Sequence, residues 1–170
     1  GDGAREMVVS GGAVILPGLC PGVVRAVHAT APSGTISPAT PSLTVPVTLT
    51  RTAATPILGY SVRFHLTNLA LSGPGTSGVS QGGFLTTNNP ATSFQVIDNG
   101  GGSYTVDNVT LGAPCGSNAL TGTLFNVAVG SSALTGPGQV TLDEVTVFDC
   151  SNAPTTYPIP SRKTPAGACH

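Results

Sequence analysis

The sequence predicts an all-β fold: a jelly-roll or Ig-like antiparallel β-sandwich of about nine strands with an extended N-terminal segment. Three observations carry this. The dominant hydrophobic period along the chain is two, the alternation of a half-buried strand. Gly (23) and Pro (15) punctuate the 170 residues at short intervals, as turns between short strands require. Only 8% of residues are charged, and the Ala/Glu/Lys/Leu composition of a helical bundle is missing.

The elements follow in order. Met7-Val8-Val9 and Ala13-Val14-Ile15-Leu16 read as short strands. Thr30 to Pro41 is rich in Pro, Ser and Thr and reads as an extended connector. Leu43 to Thr50 alternates strictly, with Leu43, Val45, Val47 and Leu49 on one face. Pro46 has no N–H for a ladder, so this strand is expected at a sheet edge. Tyr60 to Thr67 alternates again and puts Arg63 and His65 on the wet face. Ser93–Ile97 and Ser103–Val106 flank Asp98-Asn99-Gly100-Gly101-Gly102, a strong hairpin signal. Two more strands are expected at Gly122–Val129 and Gln139–Phe148, with a turn at Thr135–Gly138. The apolar phase slips by one residue at Asp107-Asn108 and again at Asp143-Glu144, and each slip predicts a β-bulge. The tail after Pro154 is Pro-rich and reads as extended.

Composition also excludes partners. Six scattered Lys and Arg and a net charge of −1 cannot neutralise a nucleic-acid backbone. The most apolar stretch, Ala13 to Val24, is too short to span a bilayer and is broken by Pro and Gly. The opening Gly1-Asp2-Gly3 reads as a processed N-terminus. The four cysteines, Cys20, Cys115, Cys150 and Cys169, have no Cys-x-x-Cys spacing and few His nearby, which disfavours zinc. They read as disulfides of an oxidising compartment. Three pairings are open, of which Cys115–Cys150 with Cys20–Cys169 is favoured. The expectation is a secreted, extracellular or cell-surface protein.

From Leu43 to Pro154 the chain resembles cohesin-like modules of bacterial secreted and cell-surface proteins. The resemblance is carried by Val45-Pro46-Val47-Thr48, by Gly59 to Phe64, by Gly122 to Val127 and by Gly138 to Thr146. Phe148 to Pro154 looks like the end of a similar surface repeat. The resemblance implies a jelly-roll sandwich and a non-catalytic role in protein or carbohydrate attachment outside the cell. It divides the chain into residues 1–41, an apolar extension and connector; 42–154, the sandwich; and 155–170, an extended tail. The long extension and the four cysteines depart from the family pattern, and no dockerin-type repeat is visible.

Candidate chemistry is sparse. Gly78-Val79-Ser80-Gln81-Gly82 matches a nucleophile elbow, but no helix is expected after it. Gly73 to Gly78 matches a dinucleotide fingerprint with Pro74 inside and no helix to follow. The seven acids do not sit among aromatic residues, as a glycosidase pair would. Asp143, Glu144 and Asp149 are weak calcium candidates without loop spacing; otherwise no cofactor or metal is expected. His28, His65 and His170 are dispersed. Asn108-Val109-Thr110 is a glycosylation sequon.

Two functions fit. The first is a structural subunit of an extracellular filament or surface assembly. Its assembly segment, Met7, Val8 and Val9 with Val14, Ile15 and Leu16, would add a strand to another copy, and copies of the chain would be the partners. The second is an adhesion module for a glycan or another surface protein, with Tyr157 as its free aromatic. Wet strand faces carry Thr, Ser, Asn and Gln instead of Lys and Glu, so the low charge points to a surface covered by sugar or by other subunits.

Overall fold

The computed structural model describes residues 7–11, 13–16, 25–29, 35–36, 41–51, 54–132 and 138–158, with side chains for 41–51, 54–132 and 138–154. Alternation of apolar and polar residues makes strands of most of them. In chain order these are β1 (Met7–Gly11), β2 (Ala13–Leu16), β3 (Arg25–Ala29), β4 (Thr35–Ile36), β5 (Ser42–Arg51), β6 (Ile57–Thr67), β7 (Leu69–Leu71), β8 (Val79–Gln81), β9 (Thr92–Gly100), β10 (Ser103–Thr110), β11 (Thr121–Ser131), β12 (Gly138–Asp149) and β13 (Pro154–Pro158). One 3₁₀ turn, Leu85–Thr87, is the helical content of the described residues.

The strands form two sheets. One runs β4-β1-β12-β6-β10-β9, with β13 also on β12; the other runs β2-β3-β5-β11-β7, with β8 also on β11. All the ladders are antiparallel except β1 on β12. The predicted sandwich is therefore the fold. The described residues carry thirteen strand segments, because the six long strands are supplemented by short ones from the N-terminal stretch and from the loops.

The N-terminal extension is not a separate unit. β1 joins one sheet, β2 and β3 join the other, and Thr35–Ile36 of the expected connector pairs with β1. The first residues of the expected tail form β13 on β12. The expectation that Pro46 marks an edge strand is corrected: β5 lies between β3 and β11. Among the described residues the β3 ladder on β5 runs from Arg25↔Arg51 to Ala29↔Val47. The turn expected at Thr135–Gly138 lies outside the described residues, apart from Gly138.

The core is an aromatic ladder between the sheets. Tyr60 and Phe64 of β6 pack on Phe125 of β11 at ring distances of 6.3 and 5.8 Å, and Tyr104 of β10 lies 5.5 Å from Phe64. Phe84, just before the 3₁₀ turn, closes one end at 1% exposure, and Gly122 lies against its ring. The β9–β10 hairpin turns through Gly100, Gly101 and Gly102, all at positive φ, a conformation that costs glycine little.

One bulge was legible and one was not. The β12 register shifts between Leu142 and Glu144, as expected. At Asp107-Asn108 the β10 ladders run without a shift, and the irregularity on β9 sits at Ser103/Tyr104 instead. Val106, Asn108 and Thr110 all face inward and are buried. The slip in apolar phase was thus two polar residues placed in the core.

A third bulge, on β11 between Thr123 and Phe125, takes Leu124 out of its ladders. Its carbonyl accepts the Tyr60 hydroxyl at 2.5 Å and the Gly82 N–H at 3.0 Å. Asn108 Nδ2 donates to the Tyr60 oxygen at 3.2 Å, and Gln81 Nε2 donates to Thr92 Oγ1 at 2.6 Å. This chain of polar contacts ties the sheets together inside an apolar core, where unpaired groups would be costly.

Burial pushes the Tyr60 phenol far above the usual tyrosine range, offset in part by the Asn108 hydrogen bond. The folded state therefore keeps a proton that the unfolded state releases above about pH 10. The phenol's contribution to stability is complete below that pH and is lost as pH rises further. Alkaline titration read by tyrosine absorbance should show Tyr60 ionising only together with loss of the fold. Independent ionisation of all three tyrosines in native protein would contradict this burial.

Candidate functional site

The outer face of β12-β6-β10-β9 is the most differentiated surface in the described structure. Register sets its side chains in rows. Phe148, Gly59, Val109 and Ser93 form the first row, and Thr146, Ser61, Asp107 and Gln95 the second. Glu144, Arg63, Thr105 and Ile97 form the third, and Thr141, His65 and Ser103 the fourth. Ile97 is 39% exposed. The bulge at Leu142/Glu144 turns Asp143 onto this face too, where His65 Nδ1–H donates to both of its carboxylate oxygens at 2.8 Å. The face thus presents three carboxylates beside Arg63 and His65 on its central strands, with an exposed isoleucine at its β9 edge.

The first two rows border a depression of about 420 Å³. Phe148 and Val109 supply its apolar part, and Ser61, Asp107, Gln95 and Asn152 line it with polar groups. Gly59 stands between Phe148 and Val109 in the first row, and there a Cβ would come within 2.5 Å of the Asn108 carbonyl oxygen, so β6 and β10 approach too closely for a side chain. Phe148 reaches this face because the bulge reverses the phase of β12.

The wall of the depression is the turn after β12. Asp149 Oδ1 accepts the N–H groups of Ser151 and Ala153 at 2.9 and 3.0 Å, and Asn152 N–H donates to the Asp149 carbonyl at 2.9 Å. Asn152 holds a positive φ of 61°, which asparagine tolerates better than most residues. The Cys115–Cys150 disulfide, with Cα atoms 6.1 Å apart, fastens the turn to the β10–β11 loop.

Arg51 fixes that loop from the other side and was not singled out in the sequence. It is 3% exposed. Its guanidinium donates to the carbonyls of Ala119 (2.8 Å), Ser117 (3.1 Å) and Thr55, and lies 5.8 Å from the centre of the Phe84 ring. Its only sequence signal is a charge at an inward position at the end of an alternating strand.

The other expected residues fall as follows. Met7, Val8 and Val9 lie in β1, and Val14, Ile15 and Leu16 in β2, paired within this chain. Cys115 pairs with Cys150 as favoured; Cys20 and Cys169 lie outside the described residues. Asn108 is corrected as a glycosylation site. It is 3% exposed and bonded to Tyr60, and a glycan there would need to occupy the core. The calcium candidates Asp143, Glu144 and Asp149 are not brought together in one cluster. Asp143 bonds His65, Glu144 stands opposite Arg63 and Asp149 caps its turn. Six residues of extended chain separate Asp143 from Asp149 by roughly 20 Å. Among the described residues no three His, Cys, Asp or Glu side chains cluster.

His28 lies in β3 and His65 in β6, while His170 lies outside the described residues. Ser80 sits in β8, a short strand, not at a strand-to-helix turn. Gly73–Gly78 is a turn with Gly73 and Gly75 at positive φ, and no helix follows it. Tyr157 lies in β13 opposite Val145. Among the described residues no helix is long and apolar enough to cross a membrane.

Replacing Cys115 and Cys150 together by Ser should lower stability by about 3–4 kcal/mol, the loop-closure value for 35 residues. Chemical denaturation monitored by tyrosine fluorescence measures this. An unchanged midpoint would mean that the turn is held by Asp149 alone.

No protein-family model matches the chain, and no curated protein matches it. Among solved structures it is similar to cohesin modules. The sixth cohesin of scaffoldin B from Acetivibrio cellulolyticus, solved in complex with a dockerin, aligns over 94% of both chains at TM-score 0.54 and 16% identity. A type I cohesin–dockerin complex from Clostridium thermocellum aligns over 67% of this chain and 80% of that one, at TM-score 0.51 and 11% identity. The seventh ScaB type I cohesin from Pseudobacteroides cellulosolvens aligns over 68% and 75%, at TM-score 0.50 and 13% identity. The chain has a cohesin-like β-sandwich fold.

Proposed function

We propose that this chain is a non-catalytic extracellular recognition module that binds a protein partner through the outer face of β12-β6-β10-β9. The observation that carries the reading is the third and fourth rows. There an exposed Ile97 on the edge strand lies in line with Thr105, Arg63 and Glu144, and the His65–Asp143 pair stands in the next row. An exposed apolar side chain beside a row of oriented charges is a combination that protein-docking surfaces use. Asp107, Asp143 and Glu144 outweigh Arg63 on this face, so the complementary partner surface is basic. Support from fold comes from the cohesin neighbours, two of which were solved with dockerins. The disulfide fits an oxidising, extracellular setting.

The test is binding by a panel of purified dockerin modules, measured for the native chain and for Ile97→Asp and Arg63→Glu. At least one dockerin should bind the native chain, and each variant should weaken it tenfold or more. If no dockerin binds, or if both variants bind as the native chain does, this reading fails.

A second reading keeps the chain as a filament subunit. It is supported by β1, which among the described residues adds to β12 through the pairs Val9↔Gly138, Ser10↔Gln139 and Gly11↔Val140. A strand held by so short a ladder can exchange into another copy at little cost. Negative-stain microscopy of the secreted protein should then show filaments. Monomers at high concentration would end that reading.

A further inference from the structure

The depression between Phe148 and the turn at Asn152 has a chemistry that protein docking does not need. We infer that it is a saccharide subsite that takes one neutral sugar ring at the end of a glycan. This inference does not depend on a protein partner.

The argument starts with the lining. The volume of about 420 Å³ falls in the range of small-molecule sites. On the outer face the lining combines an aromatic ring and a valine with two amides, two hydroxyls and a single carboxylate: Phe148 and Val109, Gln95 and Asn152, Ser61 and Ser93, and Asp107; Tyr60 and Asn108 also border it. A pyranose ring has an apolar face of C–H bonds and an edge of vicinal hydroxyls. Phe148 matches the first. The second needs side chains that donate and accept close together, which the amides and Asp107 supply. An anionic ligand is disfavoured by Asp107 and by the lack of a cation among the lining groups. A lipid or other wholly apolar ligand would leave Asp107, Gln95 and Asn152 unpaired on binding.

The geometry is also preorganised. Ser61, Asp107 and Gln95 are neighbours in one row across β6, β10 and β9. Asn152 is held at its positive φ by the Asp149 turn and the neighbouring disulfide. Rigid polar groups on strands and a fastened turn lose little freedom on binding, and a weak ligand such as a sugar depends on that.

The experiment is NMR titration of the full chain with neutral mono- and disaccharides at millimolar concentration, alongside Phe148→Ala, Asp107→Asn and Gln95→Ala. Gln95 is exposed on β9, so its variant leaves the core intact even where another variant does not fold. At least one saccharide should shift the amides of residues 59, 93, 95, 107 and 148, and each folded variant should weaken binding at least fivefold. Three results would overturn the assignment: no saccharide shifting these amides, shifts that persist in Gln95→Ala and Phe148→Ala, or a site filled only by a partner protein's basic side chain. Ile97→Asp should leave saccharide binding unchanged, which separates this site from the docking rows.

Discussion

The Tyr60 hydroxyl is the point on which the two sheets agree. It donates to a carbonyl of one sheet and accepts from Asn108 in the other, so it fixes both the spacing and the sliding register of the sandwich. Apolar packing alone is non-directional, and the aromatic ladder of Tyr60, Phe64, Phe125 and Tyr104 would tolerate small displacements. The hydrogen bonds do not. They also account for the bulge on β11, which frees the Leu124 carbonyl to be an acceptor. Because Asn108 is held from inside, its neighbours Asp107 and Val109 are held on the outer face in fixed positions.

A second set of constraints acts at the end of the sandwich. Arg51, buried under the β10–β11 loop and bonded to its carbonyls, holds that loop from within. The disulfide passes this rigidity on to the turn after β12, and Asp149 completes it. The resulting chain of restraint runs from the core of one sheet to the outer face of the other. A charge-poor protein has few surface ion pairs with which to position a site, so buried hydrogen bonds and a covalent link do the positioning here.

Much of this was legible in the residues and some was not, for physical reasons. Strict alternation made β5, β6 and the β9–β10 hairpin readable, and the bulge at Asp143-Glu144 was visible because apolar residues flank it on both sides. The same logic failed at Asn108, because a period-two reading takes an inward polar residue for a change of phase. Only its partner Tyr60, forty-eight residues away, explains it. Pro46 misled because edge and centre were treated as properties of a whole strand, whereas β5, among the described residues, is paired on both sides along only part of its length. Arg51 had only the weak signal of a charge at an inward position, since two of its carbonyl partners lie in a distant loop.

β9 is the edge of its sheet among the described residues, and this has a consequence for how the protein behaves when concentrated. Its Thr92–Ile97 stretch is uncharged, free of proline and rich in β-forming residues, the composition that templates intermolecular cross-β stacking. Pro90 stands just before it and Asp98 just after, in the places where natural sequences put residues that interrupt such stacking. With so few charges elsewhere, these two flanking residues carry an unusual share of the colloidal stability. The loss of Asp98 would therefore reach solubility before it reached the fold.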